Sequence, residues 1–136
     1  MHQLAQVVAE HGPPRVLVAE DSFAMQVLIG EIFKSFSIPA QFADNGKLAL
    51  ERLAEQPFDL VFMDLQMPVM GGIEATGLIR QKWSSAQLPV IVLSAVTQDD
   101  EIARALAAGG DKCLAKPIDI EELLATLLNY WHPKTA

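Results

Sequence analysis

Five times along the chain a short apolar run is followed by a longer stretch of helical periodicity, and this alternation restricts the fold more than any other feature. Val16-Leu17-Val18-Ala19 and Leu60-Val61-Phe62-Met63 are continuous apolar runs, the pattern of strands buried on both faces of a parallel sheet. The reading places strands near 16–20, 40–43, 59–63, 89–93 and 112–115, and helices near 22–36, 46–55, 72–83, 98–108 and 119–131. Right-handed crossovers then put helices on both faces of one sheet, which makes a doubly wound α/β domain of (βα)5 type. A length of 136 residues suits one such domain with a proper core.

Periodicity within the helices assigns faces. In the last helix Ile120, Leu123, Leu124, Leu127, Leu128 and Trp131 form one apolar stripe and are expected in the core. In the helix over 22–36, Met25, Leu28, Ile29, Ile32, Phe33 and Phe36 are expected to face the sheet. Phe23, Val27 and Gly30 then share an outward strip, which is either a docking surface or ordinary scattered exposure. Residues 1–14, closed by Gly12-Pro13-Pro14, read as a linker or N-terminal extension outside a domain spanning 15–132, with 133–136 as a tail. With five residues after Trp131, no output domain is expected within this sequence.

Composition narrows the partners. A formal charge of −7 argues against nucleic acid, whose recognition relies on clustered Lys and Arg, and favours a basic or neutral protein surface. The single cysteine, Cys113, cannot form an internal disulfide, and no Cys/His cluster has zinc spacing, so a reducing, cytoplasmic setting is expected. No apolar stretch approaches the roughly 20 residues that span a bilayer, and the N-terminus lacks the pattern of a signal peptide. No direct membrane contact is expected.

Chemistry concentrates at the strand ends. The first strand runs into Glu20-Asp21, the third into Asp64, the fourth into Ser94 and the fifth into Lys116. Open parallel sheets bind ligands beyond the carboxyl ends of their strands. Three carboxylates gathered there repel one another and have raised pKa values unless a cation is present. The arrangement predicts a hard metal such as Mg2+, held by carboxylates, waters and a phosphate. Each residue alone has a plainer explanation: a helix cap for an Asp, a turn former for a Ser, a solvated charge for a Lys.

Together, Val18-Ala19-Glu20-Asp21-Ser22, Met63-Asp64-Leu65-Gln66-Met67-Pro68-Val69-Met70-Gly71-Gly72, Leu93-Ser94-Ala95 and Ala115-Lys116-Pro117 resemble the receiver domain of two-component response regulators. The wording from Met63 to Pro68, followed by Gly72-Ile73-Glu74-Ala75-Thr76, looks most like receivers attached to hybrid sensor kinases. The resemblance implies a flavodoxin-like fold with strand order 2-1-3-4-5. It implies that Asp64 takes a phosphoryl group from a phosphohistidine, as a carboxylate nucleophile forming an acyl phosphate. Mg2+ would be held by Asp21, Asp64, the backbone carbonyl of Gln66, and Glu20 directly or through water. Lys116 would clamp a phosphoryl oxygen and Ser94 would be the switch hydroxyl, while Lys116-Pro117 would be a cis peptide. A hydrogen bond to a charged group contributes about 1.5 to 3 kcal/mol, whereas a near-complete switch needs about 5.5 kcal/mol. Ser94 alone is therefore insufficient, and Lys116 and the loop from Ser94 to Gln98 must supply the rest.

The implied partner is a histidine kinase or a histidine phosphotransfer protein docking on Phe23, Val27 and Gly30, with the receiver a monomer or weak dimer. It would be cytoplasmic, or the cytoplasmic part of a membrane-bound kinase. Two positions depart from the pattern. Cys113 stands where the family usually has an aromatic ring that swings inward, so it is expected to be a plain buried residue that weakens output through that face. Gly71 stands where Asp is more frequent, which removes a helix cap. Gln66 and Val96 occupy positions that tune attack of water on the acyl phosphate in the family. Alternatives are a stand-alone single-domain regulator and a pseudo-receiver that never takes phosphate. An aspartyl phosphatase of the haloacid dehalogenase type is disfavoured because Gln66 stands where its general acid would be, and a nucleotide-binding variant because no glycine-rich loop follows the first strand.

Overall fold

The apolar runs become strands because both of their faces meet helices. The computed structural model describes residues 2–95 and 99–131. The strands are β1 (Val16–Ala19), β2 (Ala40–Ala43), β3 (Leu60–Asp64), β4 (Val90–Ser94) and β5 (Lys112–Ala115). The helices are α1 (His2–His11), α2 (Phe23–Ser35), α3 (Gly46–Glu55), α4 (Gly72–Arg80), α5 (Asp99–Ala107) and α6 (Ile120–Tyr130). All strand pairs are parallel, in the order β2-β1-β3-β4-β5. This is the doubly wound, flavodoxin-like arrangement expected from the alternation.

Successive strand residues point to opposite faces, and two cores result. Val16, Val18, Leu60, Phe62, Ile91 and Leu93 pack with α2 and α6 on one side, where the Phe33 and Phe62 rings lie 5.6 Å apart. Leu17, Val61, Met63, Val90 and Val92 pack with α3, α4 and Ala105 of α5 on the other. Ser22, Asn45 and Asp119 cap the starts of α2, α3 and α6 through their side chains. Gly71 precedes α4 without a side-chain cap, as its lack of a side chain dictates.

Four details differ from the sequence reading. Residues 2–11 are not a loose linker: they form α1, with Leu4 fully buried and Val8 nearly so in the α2/α6 core. α1 contacts α6, and Pro14 is buried at the point where the chain enters β1. Leu28 is 45% exposed and Ile120 is 47% exposed. Leu28 stands at the flank of the α2 stripe and Ile120 in the first turn of α6, where no neighbouring element covers them. Cys113 is half-buried against the α3/α4/α5 core rather than fully buried. Finally, α4 stops at Arg80, three residues early, and the side chain of that last residue is tied to other elements. The Arg80 guanidinium donates to the carbonyls of Gly109 and Leu88 and to Asp111 at 2.7 Å. Asp111 also accepts the Val90 amide, so this pair ties the end of α4 to the entrances of β4 and β5.

Candidate functional site

Sheet register brings the strand-end residues level. Ala19 pairs with Met63, so Glu20 and Asp64 are neighbours on adjacent strands. Asp64 pairs with Leu93 and Ser94 with Ala115, so Ser94 and Lys116 each lie one residue further out across the sheet. Glu20, Asp64 and Ser94 are buried, Lys116 is largely buried and Asp21 is exposed at the rim. Asp64, Leu65, Gln66, Ser94, Ala95 and Lys116 line a cleft of about 160 Å3.

Lys116 is the cationic centre. Its ammonium lies 2.6 Å from Glu20 Oε1 and 3.2 Å from Asp64 Oδ2, and its backbone N–H donates to the Ser94 carbonyl at 2.8 Å. Burial opposes the charge on Lys116, but the hydrogen bond it donates to Glu20 and the charges of both carboxylates outweigh it and hold its pKa above the ordinary lysine value. Lys116-Pro117 is a cis peptide. Glu20 experiences the opposite balance. Burial first, and the Asp64 carboxylate second, push its pKa above the ordinary carboxylate range, against the pull of Lys116.

One carboxylate oxygen each from Glu20, Asp21 and Asp64 lie within 4.8 Å of one another. Glu20 Oε2 is buried without a hydrogen-bond partner among the described residues. An uncompensated buried carboxylate oxygen is costly, and a divalent cation with oxygen ligands is the group that such a donor set fits. The site is braced from behind. Gln26 on α2 donates to the Glu20 carbonyl at 2.6 Å and to Asp44 at 3.0 Å, and the Glu20 amide bonds to Ala43.

The segment after β3 carries the remaining predicted residue. The Gln66 amide donates to Asp64 Oδ1 at 3.4 Å, and its side chain donates to Glu101 on α5 at 3.3 Å. Gly72 bonds back to the Leu65 carbonyl, and Met70 accepts from Gly46 at the start of α3. Between these anchors Val69 is held at φ 70, a left-handed conformation that costs a β-branched residue energy.

The structure thus brings Glu20, Asp21, Asp64, Gln66, Ser94 and Lys116 together. Phe23 and Val27 lie on α2 outside the cleft, 78% and 47% exposed, and Leu28 extends their apolar strip. Gly30 is partly covered, with the Phe42 ring opposite it. Val96 and the loop through Gln98 lie outside the described residues. Sequence reasoning missed Gln26 and Glu101. Gln26 sits one turn after Ser22 and could have been suspected from its helix position, whereas nothing in the sequence links Glu101 to Gln66.

Comparison with known proteins agrees with this geometry. The model of the response regulator receiver domain family matches residues 16–128. The signal transduction histidine-protein kinase BarA of Escherichia coli (strain K12) is 39% identical over 115 residues, covering 85% of this chain and 12% of the kinase. The chain therefore spans only about an eighth of that relative. The receiver domain of the Francisella response regulator 1452 superposes with a TM-score of 0.77 at 31% identity, covering 86% of this chain and 95% of that one. A chain from the co-crystal of the Saccharomyces cerevisiae histidine phosphotransfer signaling protein Ypd1 with the receiver domain of its downstream response regulator Ssk1 gives a TM-score of 0.78 at 29% identity. That match covers 87% of this chain and 90% of the other.

Proposed function

The chain belongs to the response regulator receiver domain family of two-component signalling, and from that membership we propose that Asp64 accepts a phosphoryl group from a phosphohistidine in a phosphorelay. The observation that carries the reading is the contact of Lys116 with both Asp64 and Glu20 at the floor of an acidic cleft. A carboxylate oxygen of Asp64 bonds to phosphorus, and the bond from phosphorus to the imidazole nitrogen breaks with its electron pair left on nitrogen. The product is an acyl phosphate on Asp64 and a neutral histidine on the donor.

The surrounding residues act by position and charge. Lys116 reaches the Asp64 carboxylate already, and its ammonium can follow the phosphoryl oxygens as they arrive. Ser94, buried at the end of β4, lines the same cleft and offers a hydroxyl to the same group. Glu20, Asp21, Asp64 and the Gln66 carbonyl would hold Mg2+, with Glu20 Oε2 the oxygen that has no hydrogen-bond partner among the described residues. When bound, the ion supplies positive charge against the transferring oxygens. Half-buried Cys113 lacks the bulk of an aromatic ring, so output is read from the α2 side or by onward transfer rather than from the face of α5, β5 and α6.

The donor and acceptor partners are a histidine kinase and a histidine phosphotransfer protein, which dock on Phe23, Val27 and Gly30 of α2. Support comes from the exposed apolar strip beside Asp21 and from the match to the Ypd1–Ssk1 co-crystal. Among the described residues no helix is long and apolar enough to cross a membrane. The likeness to BarA and to the hybrid signal transduction histidine kinase G of Dictyostelium discoideum supports a receiver borne by a hybrid kinase.

The test is intact mass after incubation with acetyl phosphate and Mg2+, for the wild type and Asp64→Asn in parallel. One added phosphoryl group that requires both Mg2+ and Asp64 is expected. The same adduct on Asp64→Asn, or none on the wild type with beryllofluoride also failing to bind, would overturn the assignment.

A further inference from the structure

Glu20 and Asp21 are consecutive, and each offers a carboxylate oxygen to the cluster completed by Asp64. Between them lies one rigid unit, the Glu20-Asp21 peptide plane, whose rotation swings one carboxylate relative to the other. α2 holds that plane. The Gln26 carboxamide donates at 2.6 Å to the Glu20 carbonyl, which belongs to this peptide, and at 3.0 Å to Asp44 Oδ1. Both partners are acceptors, so the carboxamide nitrogen faces them and its two hydrogens are used. The Glu20 amide is fixed separately by the carbonyl of Ala43, the last residue of β2 and the neighbour of Asp44. Lys116 gathers Glu20 and Asp64, whereas Asp21 is exposed and forms no ion pair among the described residues. The direction of the Asp21 side chain therefore depends on the backbone of this turn.

We propose that Gln26 is a positioning residue for divalent-cation binding: it sets the Glu20-Asp21 peptide plane so that both carboxylates face one ion, and Asp44 sets Gln26. This rests on the Mg2+ site proposed above. Three carboxylates without a cation repel one another, so their approach to within 4.8 Å has to be imposed by the surrounding chain before an ion arrives. A glutamine has three free side-chain torsions, and fixing them costs entropy. The hydrogen bond to the Asp44 carboxylate offsets that cost. The Gln26 carboxamide donates to none of the three cluster carboxylates, so its effect on the ion runs through the backbone of the turn.

The measurement is an Mg2+ titration of the unphosphorylated protein, followed by the amide chemical shifts of Asp21 and Gln66. The dispersion of the same spectra shows whether each variant is folded. Gln26→Met keeps the length of the side chain and removes both donors. It is expected to raise the Mg2+ dissociation constant about tenfold, the lower end of what losing a partner of the metal ligands does. Gln26→Glu should weaken binding as well, because a carboxylate turns away from two acceptors, although its added negative charge acting through space would tighten binding. Asp44→Ala frees the carboxamide and should weaken binding about threefold, whereas Asp44→Asn keeps an acceptor and should stay within about twofold of wild type. Gln26→Met combined with Asp44→Ala should bind no more weakly than Gln26→Met alone. An unchanged affinity in folded Gln26→Met, tighter binding by Gln26→Glu, or full additivity in the double variant would overturn the proposal while leaving the ion site in place. Equal affinities of Asp44→Ala and Asp44→Asn would overturn it too, whether or not Gln26→Met folds. No Mg2+-dependent shift in the wild type would remove the ion site as well.

Discussion

The N-terminal helix makes the most quantitative claim on the fold. Leu4 is 0% exposed and lies in the core shared by α2 and α6, so Leu4→Ala removes three buried carbons. At about 0.8 kcal/mol per carbon the transfer loss is ~2.4 kcal/mol, and the cavity left behind brings Leu→Ala substitutions in packed cores to about 2–5 kcal/mol. A ceiling applies, because α1 can leave the domain instead of tolerating the cavity. A helix of 10 residues does not persist alone in water, so undocking costs α1 its structure as well as its contacts. The expected loss is therefore about 2–3 kcal/mol. Urea unfolding followed by tryptophan fluorescence measures it, since Trp131 shares the core with Leu4 and Trp83 packs on the opposite core. Gln3→Ala, exposed on the same helix, is the control and should stay within about 0.5 kcal/mol of wild type. A reduced slope with denaturant would show α1 lost as a unit. A change in Leu4→Ala no larger than that of the control would refute the reasoning and return residues 2–11 to the status of a linker.

Arg80→Ala leaves Asp111 largely buried and uncompensated, and should destabilise the domain by about 3 kcal/mol in the same assay. In Gly72→Ala the added carbon overlaps the Asp64 backbone carbonyl, so α4 must shift against β3. That substitution should cost about 1–3 kcal/mol and, by displacing Asp64, slow phosphorylation by acetyl phosphate. Burial, and secondarily the charge of Glu122, raise the Cys113 thiol above its ordinary value. Iodoacetamide at pH 8 should therefore modify the native protein several-fold more slowly than the urea-unfolded chain. A thiol whose folded pKa is raised contributes stability that is present below the unfolded pKa and is lost as pH rises through the folded one. Alkaline unfolding of Cys113→Ser should accordingly be less steep than that of the wild type.

What could be read before the structure divides along physical lines. The five strands fall within a residue of their expected limits, and for β1, β3 and β4 the signal is local and dense because a strand buried on both faces is apolar along its length, whereas the edge strands β2 and β5 carry Gln41 and Lys112 and were placed by the alternation with helices. The meeting of Glu20, Asp64, Ser94 and Lys116 followed from the same fact, since parallel pairing forces all carboxyl ends to one edge whatever lies between them. The errors share the opposite cause. Leu4, Val7 and Val8 already formed a helical apolar stripe in the sequence. Whether such a stripe is covered depends on a groove beside α6 that the sequence around α1 does not encode, and Gly12-Pro13-Pro14 shows only that the chain bends there. Leu28 and Ile120 were assigned inward by periodicity that tells which side a residue is on, not how far the neighbouring element extends. The contact of Gln66 with Glu101 is the extreme case, a bond between two polar surface residues with no pattern at any spacing. Such a pair carries little of the folding free energy, so nothing in the pattern that builds the fold announces it.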